Sequence, residues 1–283
     1  MVRFNLHAKL RRKIKVSNSA CVVDESYFKT FGFIVLRQFF EAGPLAEEID
    51  QVLHDGLPAS SDVSQYGEIR FQYVPMMSAT TPSSLALLDR TAVVASTLLG
   101  CAVIPTRAKA VRYFGNTPWH VDSVLPLESI GFAAYLEPVG LDHGALRVLP
   151  ASHRRDLSSA LCEFGAIGMT ATTLPSFAVA TEPGDMIVFD EHLFHSSFGG
   201  DVRRQWRVDF VCDPVGADAE RLTKEYFQGI YPADWHASYD VDRYPSYSDH
   251  WRKSGRPSAA RLESLGVYEL AATQETLARS KRG

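Results

Sequence analysis

The chain has 283 residues, of which 46% are hydrophobic and 22% are charged, and its formal net charge is -4. These values are typical of a soluble globular protein, and the acidic balance argues against a nucleic-acid partner, because phosphate binding needs a basic face. No run of 18 apolar residues and no signal-peptide core is present, so we expect no membrane partner. The four scattered cysteines, Cys21, Cys101, Cys162 and Cys212, favour reduced thiols in the cytoplasm over disulfides or a zinc site.

The first hundred residues predict a flank that is mostly helical, because many of their apolar residues recur at helical spacing. In chain order the predicted elements are a helix at 24–31, a strand at 32–40, and helices at 45–53 and 83–99. Asp24 is expected to cap the first helix, and Gly100 is expected to end the last one. The basic run at 7–15 is expected to be a solvated terminal segment, with an anion contact or a lid over a site as the alternative.

Residues 101–213 have a different character, since short strand-like runs alternate with turn residues without helices between them. This density of strands predicts an antiparallel sandwich or barrel, and a jelly roll, or double-stranded β-helix, is the natural candidate. Residues 214–283 are aromatic and polar, and they predict helices at 218–227 and 258–280. We therefore expect one domain over 1–283, mainly β with flanking helices: a helical flank over 1–100, a cupin-like jelly-roll core over 101–213, and a C-terminal tail and lid over 214–283.

The stretch T-P-W-H-V-D-S-V at 117–124 places a histidine and an aspartate two positions apart among strand-forming residues. On a β-strand, residues i and i+2 point to the same face, so His120 and Asp122 converge. Two interpretations are open at this point. The pair is part of a metal site that needs a third ligand from elsewhere, or it is an ordinary contact on an exposed strand.

A third ligand is expected on a later strand of the same barrel. The stretch E-P-G-D-M-I-V-F-D-E-H-L-F-H-S-S-F-G-G at 182–200 carries a tight turn, a buried strand and two histidines. His192 and His195 are three positions apart and face opposite ways on a strand, so only one of them can join the pair. Further on, Arg207 begins an apolar strand, where a charge without a partner is costly, so an anionic ligand is the better explanation for it.

Four stretches resemble the phytanoyl-CoA dioxygenase family of iron(II)- and 2-oxoglutarate-dependent oxygenases. They are D-E-S-Y-F-K-T-F-G-F-I-V-L-R-Q-F-F, P-W-H-V-D, G-A-L-R-V-L-P-A-S-H-R and P-G-D-M-I-V-F-D-E-H-L-F-H-S-S, and they occur in the family's order. Ala151 stands where the family usually has glycine. The resemblance implies that His120, Asp122 and His195 bind Fe(II) as a two-histidine, one-carboxylate triad and leave positions for 2-oxoglutarate and O2.

The resemblance also implies an arginine some ten residues after the second histidine, which binds the far carboxylate of 2-oxoglutarate. We choose Arg207 over Arg204, because W-R-V-D-F-V-C is the predicted strand. Arg203 and Arg204 are expected to be solvated charges in the polar turn before it.

Other polar contacts are implied from the strand before the histidine–aspartate pair and from the strand of the second histidine. Arg107, Lys109 and Arg112 are the candidates in T-R-A-K-A-V-R-Y-F, and alternation puts the first two on one face. Ser197 is a further candidate contact to 2-oxoglutarate. Trp119 is expected to pack in the core or to contact the substrate, and Arg112 is the other candidate substrate contact.

The activity implied by the resemblance is hydroxylation of an unactivated C–H bond in a small polar metabolite, with release of succinate and CO2. Because Asp122 is present, hydroxylation is favoured over halogenation, for which related enzymes replace this carboxylate by a small residue. Desaturation, cyclisation and epimerisation in natural-product biosynthesis are alternatives with the same cofactors. Two alternatives from other classes are a catalytically silent binding protein on the same fold and a cupin-like metalloenzyme without 2-oxoglutarate. The sequence indicates no oligomeric state.

Overall fold

Two antiparallel β-sheets dominate the computed structural model, which describes residues 12–16, 19–57, 63–66, 69–169, 174–232 and 238–280. The strands in these ranges are β1 (Arg12–Val16), β2 (Ser19–Val23), β3 (Phe33–Leu36), β4 (Ser64–Tyr66), β5 (Ile69–Pro75), β6 (Val103–Pro105), β7 (Lys109–Phe114), β8 (Thr117–His120), β9 (Ser129–Tyr135), β10 (Leu146–Val148), β11 (Phe177–Val179), β12 (Met186–Asp190), β13 (His195–Ser197) and β14 (Val202–Cys212). The helices are α1 (Glu25–Phe31), α2 (Ala42–Gly56), α3 (Pro82–Leu99), α4 (Arg155–Glu163), α5 (Ala217–Ile230), α6 (Asp249–Arg252), α7 (Pro257–Ser264) and α8 (Val267–Ser280).

The larger sheet has the strand order β3-β12-β9-β14-β7-β5-β4, with β6 also paired to β14, and the smaller sheet has the order β11-β10-β13-β8. This is the two-sheet arrangement of a jelly roll, so the predicted fold class is confirmed. The hairpin of β1 and β2 is separate from both sheets. It includes residues 12–15 of the basic run, whereas residues 7–11 lie outside the described part of the chain.

The N-terminal flank is less helical than expected, because β4 and β5 join the predicted strand β3 in the larger sheet. β3 pairs with β12 at one edge, and β5 connects β4 to β7 at the other. The missed signal is the alternation of aromatic and polar residues in I-R-F-Q-Y-V-P, which is the period of a strand. The helices of the flank pack on the outside of this sheet, where the Trp206 indole N–H donates to the Ser84 hydroxyl at 2.7 Å.

The predicted ends of the first elements are mostly confirmed. The Asp24 carboxylate accepts a hydrogen bond from Tyr27 N at 3.0 Å, which caps α1. Gly100 follows α3 with a left-handed φ of 72°, a conformation that glycine adopts without cost. The predicted strand at 32–40 is shorter than expected: β3 ends at Leu36, and Gln38 turns the chain with a φ of 48°.

The C-terminal segment contributes two helices to the cavity described below. The helix predicted at 218–227 is α5, and Tyr226 on it reaches the cavity wall. The helix predicted at 258–280 is two helices, α7 and α8, because Gly266 has a φ of 75° between them. Among the described residues, no helix combines the length and hydrophobicity needed to cross a bilayer.

Alternate residues of β14 face opposite sides of the larger sheet. Trp206, Val208 and Phe210 point outward into the main hydrophobic core. The residues that alternate with them point inward and line the cavity together with Arg203. These residues are Gln205, Arg207 and Asp209. One strand thus carries three charged residues on a single inward face, which is the expected period of two for a β-strand.

The expectation of reduced thiols is wrong for two of the four cysteines. Cys101 and Cys212 form a disulfide across 111 residues, with their Cα atoms 5.9 Å apart. The pairing of β6 with β14 brings them together, since Cys212 lies opposite Val103, two residues after Cys101. Scattered positions in a sequence do not exclude such a pair, because sheet register sets the distance. Cys162 is free and exposed. The cytoplasmic location stays a prediction.

Candidate metal centre

The two histidines of the predicted triad are neighbours across two hydrogen-bonded strands. His120 is the last residue of β8, His195 is the first residue of β13, and the register places them directly opposite each other. Their ring centroids are 4.1 Å apart. Residues directly opposite on antiparallel strands have close Cβ atoms, so the sheet itself holds the two imidazoles side by side.

Asp122 completes the group from just beyond the end of β8. Its carboxylate oxygens lie 3.6 Å from the Nε2 atoms of His120 and His195. One donor atom from each residue lies within 4.8 Å of the other two, which allows all three to reach one ion. The sequence predicts Asp122 on the strand itself. In the structure it lies in the bend after the strand, where its backbone N–H donates to the Glu191 carbonyl at 2.9 Å.

Backbone carbonyls orient both imidazoles toward the shared point. Nδ1 of His120 lies 2.8 Å from the Pro118 oxygen, and Nδ1 of His195 lies 2.9 Å from the Leu193 oxygen. A carbonyl can only accept, so each Nδ1 carries the proton and each Nε2 lone pair is available to a metal. Burial lowers the pKa of His195 to about 3, with His120 adding to the effect, so the ring is neutral at pH 7.

Phe189 supports the His195 ring from the larger sheet. The two ring centroids are 5.0 Å apart, and the Phe189 ring packs against Gly131 of β9. A Cβ at Gly131 would lie only 2.8 Å from the Phe189 ring, so this position has to be glycine for the phenyl ring to lie flat on β9.

Arg207 does not stand free in the cavity but binds two carboxylates. Its Nη2 donates to Asp122 Oδ2, and its Nε lies 3.4 Å from Asp209 Oδ1. Lys109 also approaches Asp209, with Nζ 3.8 Å from Oδ2. Burial alone would raise the pKa of Asp122, but Arg207 and the two histidines hold it well below its usual range. Asp122 is therefore ionised, as a metal ligand has to be.

Arg203 is buried, and the expectation of a solvated charge is wrong. Its side chain is 3% exposed, and its Nε and Nη1 atoms have no hydrogen-bond partner among the described residues. It points into the cavity next to Gly144, the glycine of G-A-L-R-V-L, where a Cβ would lie 2.5 Å from Nη1. Arg204 on the other face of β14 is not solvated either, since it pairs with Glu137 and Asp50.

A cavity of about 440 Å³ joins these groups, and both sheets, α5 and α8 contribute to its wall. Of the candidate contacts, Arg107, Lys109 and Ser197 line it. Arg112 does not line the cavity. Successive side chains of β7 point to opposite faces of the sheet, and the neighbours of Arg112 are the ones that point inward. Trp119 does not line it either: the ring is fully buried, 6.3 Å from the Phe198 ring, and it is a packing residue.

Glu191 lines the same cavity and was not found from the sequence. It is buried, its carboxylate accepts hydrogen bonds from the Tyr226 hydroxyl at 2.9 and 3.1 Å, and burial raises its pKa to about 8. The available signal was its position, directly after the buried strand that leads to His195. His192, the histidine not chosen as a ligand, instead ties the turn to Asp190 and to the Leu125 carbonyl.

The donor set fits a non-haem ferrous ion. Two imidazoles and one ionised carboxylate approach from one side, and an ion that they held would keep other coordination positions for small ligands. The buried and unpartnered guanidinium of Arg203 fits the distant carboxylate of a dicarboxylic acid in the same cavity. Both observations come from this chain's own residues, and both agree with a site for iron and 2-oxoglutarate.

Solved structures share this fold at low sequence identity. EctD from S. alaskensis with bound Fe is 23% identical, with 67% of this chain and 75% of that chain covered and a TM-score of 0.51. EvdO2 from Micromonospora carbonacea var. aurantiaca, complexed with 2-oxoglutarate, is 19% identical over 69% and 91% of the chains, with a TM-score of 0.50. The 2-oxoglutarate-dependent epimerase SnoN from nogalamycin biosynthesis is 17% identical over 67% and 81%, with a TM-score of 0.51.

A search of curated protein sequences finds no match. The sequence profile described as phytanoyl-CoA dioxygenase (PhyH) matches residues 28–205, more than half of the chain and the part that contains all three metal-binding candidates. The chain therefore belongs to the phytanoyl-CoA dioxygenase family of iron- and 2-oxoglutarate-dependent oxygenases.

Proposed function

We propose that this protein hydroxylates a C–H bond of a small polar molecule with Fe(II), 2-oxoglutarate and O2 as its cofactor and co-substrates. The observation that carries the proposal is the convergence of His120, Asp122 and His195 on one point inside the family's jelly roll. When bound, iron and 2-oxoglutarate supply the oxidising chemistry, in which O2 is shared between the substrate and the 2-oxo acid, and succinate and CO2 leave.

The protein's part in this reaction is to hold groups in place. His120, Asp122 and His195 would bind the iron, and the carbonyls that fix their Nδ1 protons keep the rings aimed. Arg207 holds the second oxygen of Asp122, so it acts as a positioning residue that keeps the carboxylate from turning away. Phe189, under His195, excludes water from that side of the ring.

Arg203, rather than Arg207, is our candidate for the far carboxylate of 2-oxoglutarate. Arg207 already has two carboxylate partners, whereas two nitrogens of Arg203 have none among the described residues. A buried cation without a partner is costly unless a ligand neutralises it. Ser197 lines the cavity nearby but donates its hydroxyl to the Gly144 carbonyl at 2.8 Å, so it would contact a carboxylate only as a neighbour of Arg203.

The site carries an intact carboxylate ligand, which supports hydroxylation as the default outcome. Desaturation, cyclisation and epimerisation use the same three ligands, so analysis of the product distinguishes them. A catalytically silent binding protein would be under no constraint to keep three ligands and an ionised Asp122 within reach of one ion. Release of succinate above the level without enzyme separates an active oxygenase from such a protein.

The direct test is an anaerobic titration of the purified protein with Fe(II) and then with 2-oxoglutarate. We expect a weak visible absorption band when 2-oxoglutarate chelates the iron. His195→Ala should lose the band and succinate release, while His143→Ala, an exposed histidine in a turn, should keep both. Absence of the band in the wild-type protein, with iron bound, would refute the proposal.

A further inference from the structure

Arg107 is a second buried arginine in the wall of the same cavity. It lies in the short segment between β6 and β7, it is 4% exposed, and it reaches the cavity from there. Its guanidinium carbon is 4.9 Å from the centroid of the Tyr73 ring and 4.5 Å from the centroid of the Tyr231 ring. Both rings lie within cation–π distance of the guanidinium, which keeps its N–H donors for hydrogen bonding.

Most N–H donors of the Arg107 guanidinium have no acceptor in the described part of the protein. Nη2 donates to the Tyr73 hydroxyl at 3.0 Å, and Nε and Nη1 have no hydrogen-bond partner among the described residues. The Tyr231 hydroxyl is close to the guanidinium but does not reach hydrogen-bond geometry. A guanidinium has five N–H donors, so most of the donors of Arg107 are buried without an acceptor. Such a group is costly in the folded protein unless a ligand completes it.

Among the described residues, Arg107 and Arg203 are the two cations in the cavity wall that have no carboxylate partner, and we assign Arg203 to 2-oxoglutarate. Lys109 and Arg207 have carboxylate partners in Asp209 and Asp122. At the rim, Glu225 pairs with an arginine of its own helix. Iron and 2-oxoglutarate carry opposite double charges, so binding both changes nothing in this balance. Even with Glu191 ionised, the cations that line the cavity inside the rim outnumber the carboxylates.

Arg107 and Arg203 reach the cavity from different levels of the larger sheet. Arg203 lies opposite Tyr113 at one end of β7, while Arg107 lies two residues before Lys109, beyond the other end. Arg107 lies six positions before Tyr113, which corresponds to roughly 20 Å between their Cα atoms along an extended chain. The backbones of the two arginines therefore lie at different levels of the sheet, with the level of Arg207 between them.

We infer that Arg107 binds an oxyanion of the substrate, a carboxylate or a phosphate, and so orients the substrate in the cavity, apart from the 2-oxoglutarate site that we assign to Arg203. The inference rests on the proposed function, and it narrows the substrate class to anionic small molecules. The planar fork of the guanidinium gives two parallel hydrogen bonds to such a group, and the flanking tyrosine rings fix the plane in which the oxyanion lies.

Binding of two simple anions tests this assignment without knowledge of the substrate. The protein is loaded anaerobically with Fe(II) and 2-oxoglutarate, so that the Arg203 site is filled, and is titrated separately with inorganic phosphate and with acetate in a calorimeter. The wild type is compared with Arg107→Gln, with Arg107→Lys, and with Arg154→Gln, a matched change at an exposed arginine. The affinity for 2-oxoglutarate in each variant is measured from the absorption band and shows whether the site is folded.

We expect at least one anion to bind the wild type and Arg154→Gln, and its Kd to rise about tenfold or more in Arg107→Gln. Arg107→Lys should fall between them, because it keeps the charge and loses the fork. The tighter of the two anions identifies the substrate group as phosphate or carboxylate. In a turnover assay, anionic compounds should stimulate succinate release more than their neutral esters, and only in proteins that keep Arg107.

Three results would overturn the assignment. They are binding of neither anion by the wild type, equal binding by wild type and Arg107→Gln, and loss of 2-oxoglutarate affinity in Arg107→Gln while Arg203→Gln keeps it. Failure of the proposed function has a different signature: the wild type then binds an anion through Arg107 but shows no band with Fe(II) and 2-oxoglutarate.

Discussion

Replacing Arg203 should abolish most of the affinity for 2-oxoglutarate without unfolding the protein. In the folded chain the Nε and Nη1 atoms of this arginine are buried without a partner, so a neutral side chain there removes a cost and not a stabilising contact. We therefore expect the free energy of unfolding of Arg203→Gln to equal or exceed that of the wild type in the absence of ligand.

The size of the binding effect follows from the two free nitrogens. Each charge-assisted hydrogen bond to a carboxylate contributes about 1.5 to 3 kcal/mol, so losing two costs about 3 to 6 kcal/mol and raises the Kd roughly 10²- to 10⁴-fold. Arg203→Lys keeps the charge and loses the bidentate geometry, and we expect a rise of about tenfold.

The assay is the anaerobic titration of iron-saturated protein with 2-oxoglutarate, followed by absorption or by calorimetry. Arg207→Gln is the matched comparison on the same face of β14, and its Kd should stay within about threefold of the wild type. If Arg207→Gln shows the large loss and Arg203→Gln does not, the choice between the two arginines is wrong and the sequence-based choice of Arg207 is correct.

Three further predictions concern stability. The hydrogen bond between His192 and Asp190 raises the pKa of His192 to about 9. Protonated His192 therefore stabilises the folded protein fully below pH 6.5, and this stabilisation is lost as the pH rises toward 9. Urea unfolding should therefore lose up to about 3 kcal/mol over this range, and His192→Gln should flatten the dependence. Ala151 has a φ of 69°, so Ala151→Gly should raise the unfolding free energy by about 0.5 to 1 kcal/mol, measured by thermal unfolding. Cys101→Ser should lower the stability of the oxidised protein by about 2 to 4 kcal/mol and leave the reduced protein unchanged, which unfolding with and without dithiothreitol will show.

The candidate metal ligands could be predicted from the sequence because their signal is local. A spacing of two on a strand end brings His120 and Asp122 together, and the motif around His195 selects one of two nearby histidines. The arrangement holds even though Asp122 lies in a bend, because its backbone N–H is bound by the chain that leads to His195.

Arg203 was missed because β14 begins earlier than its apolar run. Val202 starts the strand, five residues before Arg207, and the run V-R-R-Q has the composition of a polar turn. In the structure Arg204 pairs with acidic residues on the outer face of the strand. Arg203 points into the polar cavity on the inner face. A strand whose inner face borders a charged site does not show the hydrophobic alternation on which the prediction depends.

The disulfide and the buried Arg107 depend on long-range register, which no local pattern contains. Cys101 and Cys212 meet only because β6 and β14 pair in one register, and a shift of one residue would turn the side chains away from each other. Arg107 gains its two tyrosine neighbours from β5 and from the end of α5, segments that lie far from it in the chain.

The bond between Cys101 and Cys212 makes a covalent circle of the middle of the chain. Every residue that we assign to the iron, to 2-oxoglutarate or to the substrate oxyanion lies on that circle. A single proteolytic nick anywhere along it would leave both pieces attached, so a nicked molecule keeps its whole binding apparatus on one covalent unit. The segments before Cys101 and after Cys212 both leave this circle at the disulfide. A force that pulls on the two ends of the chain is therefore carried through the disulfide and not through the residues of the site.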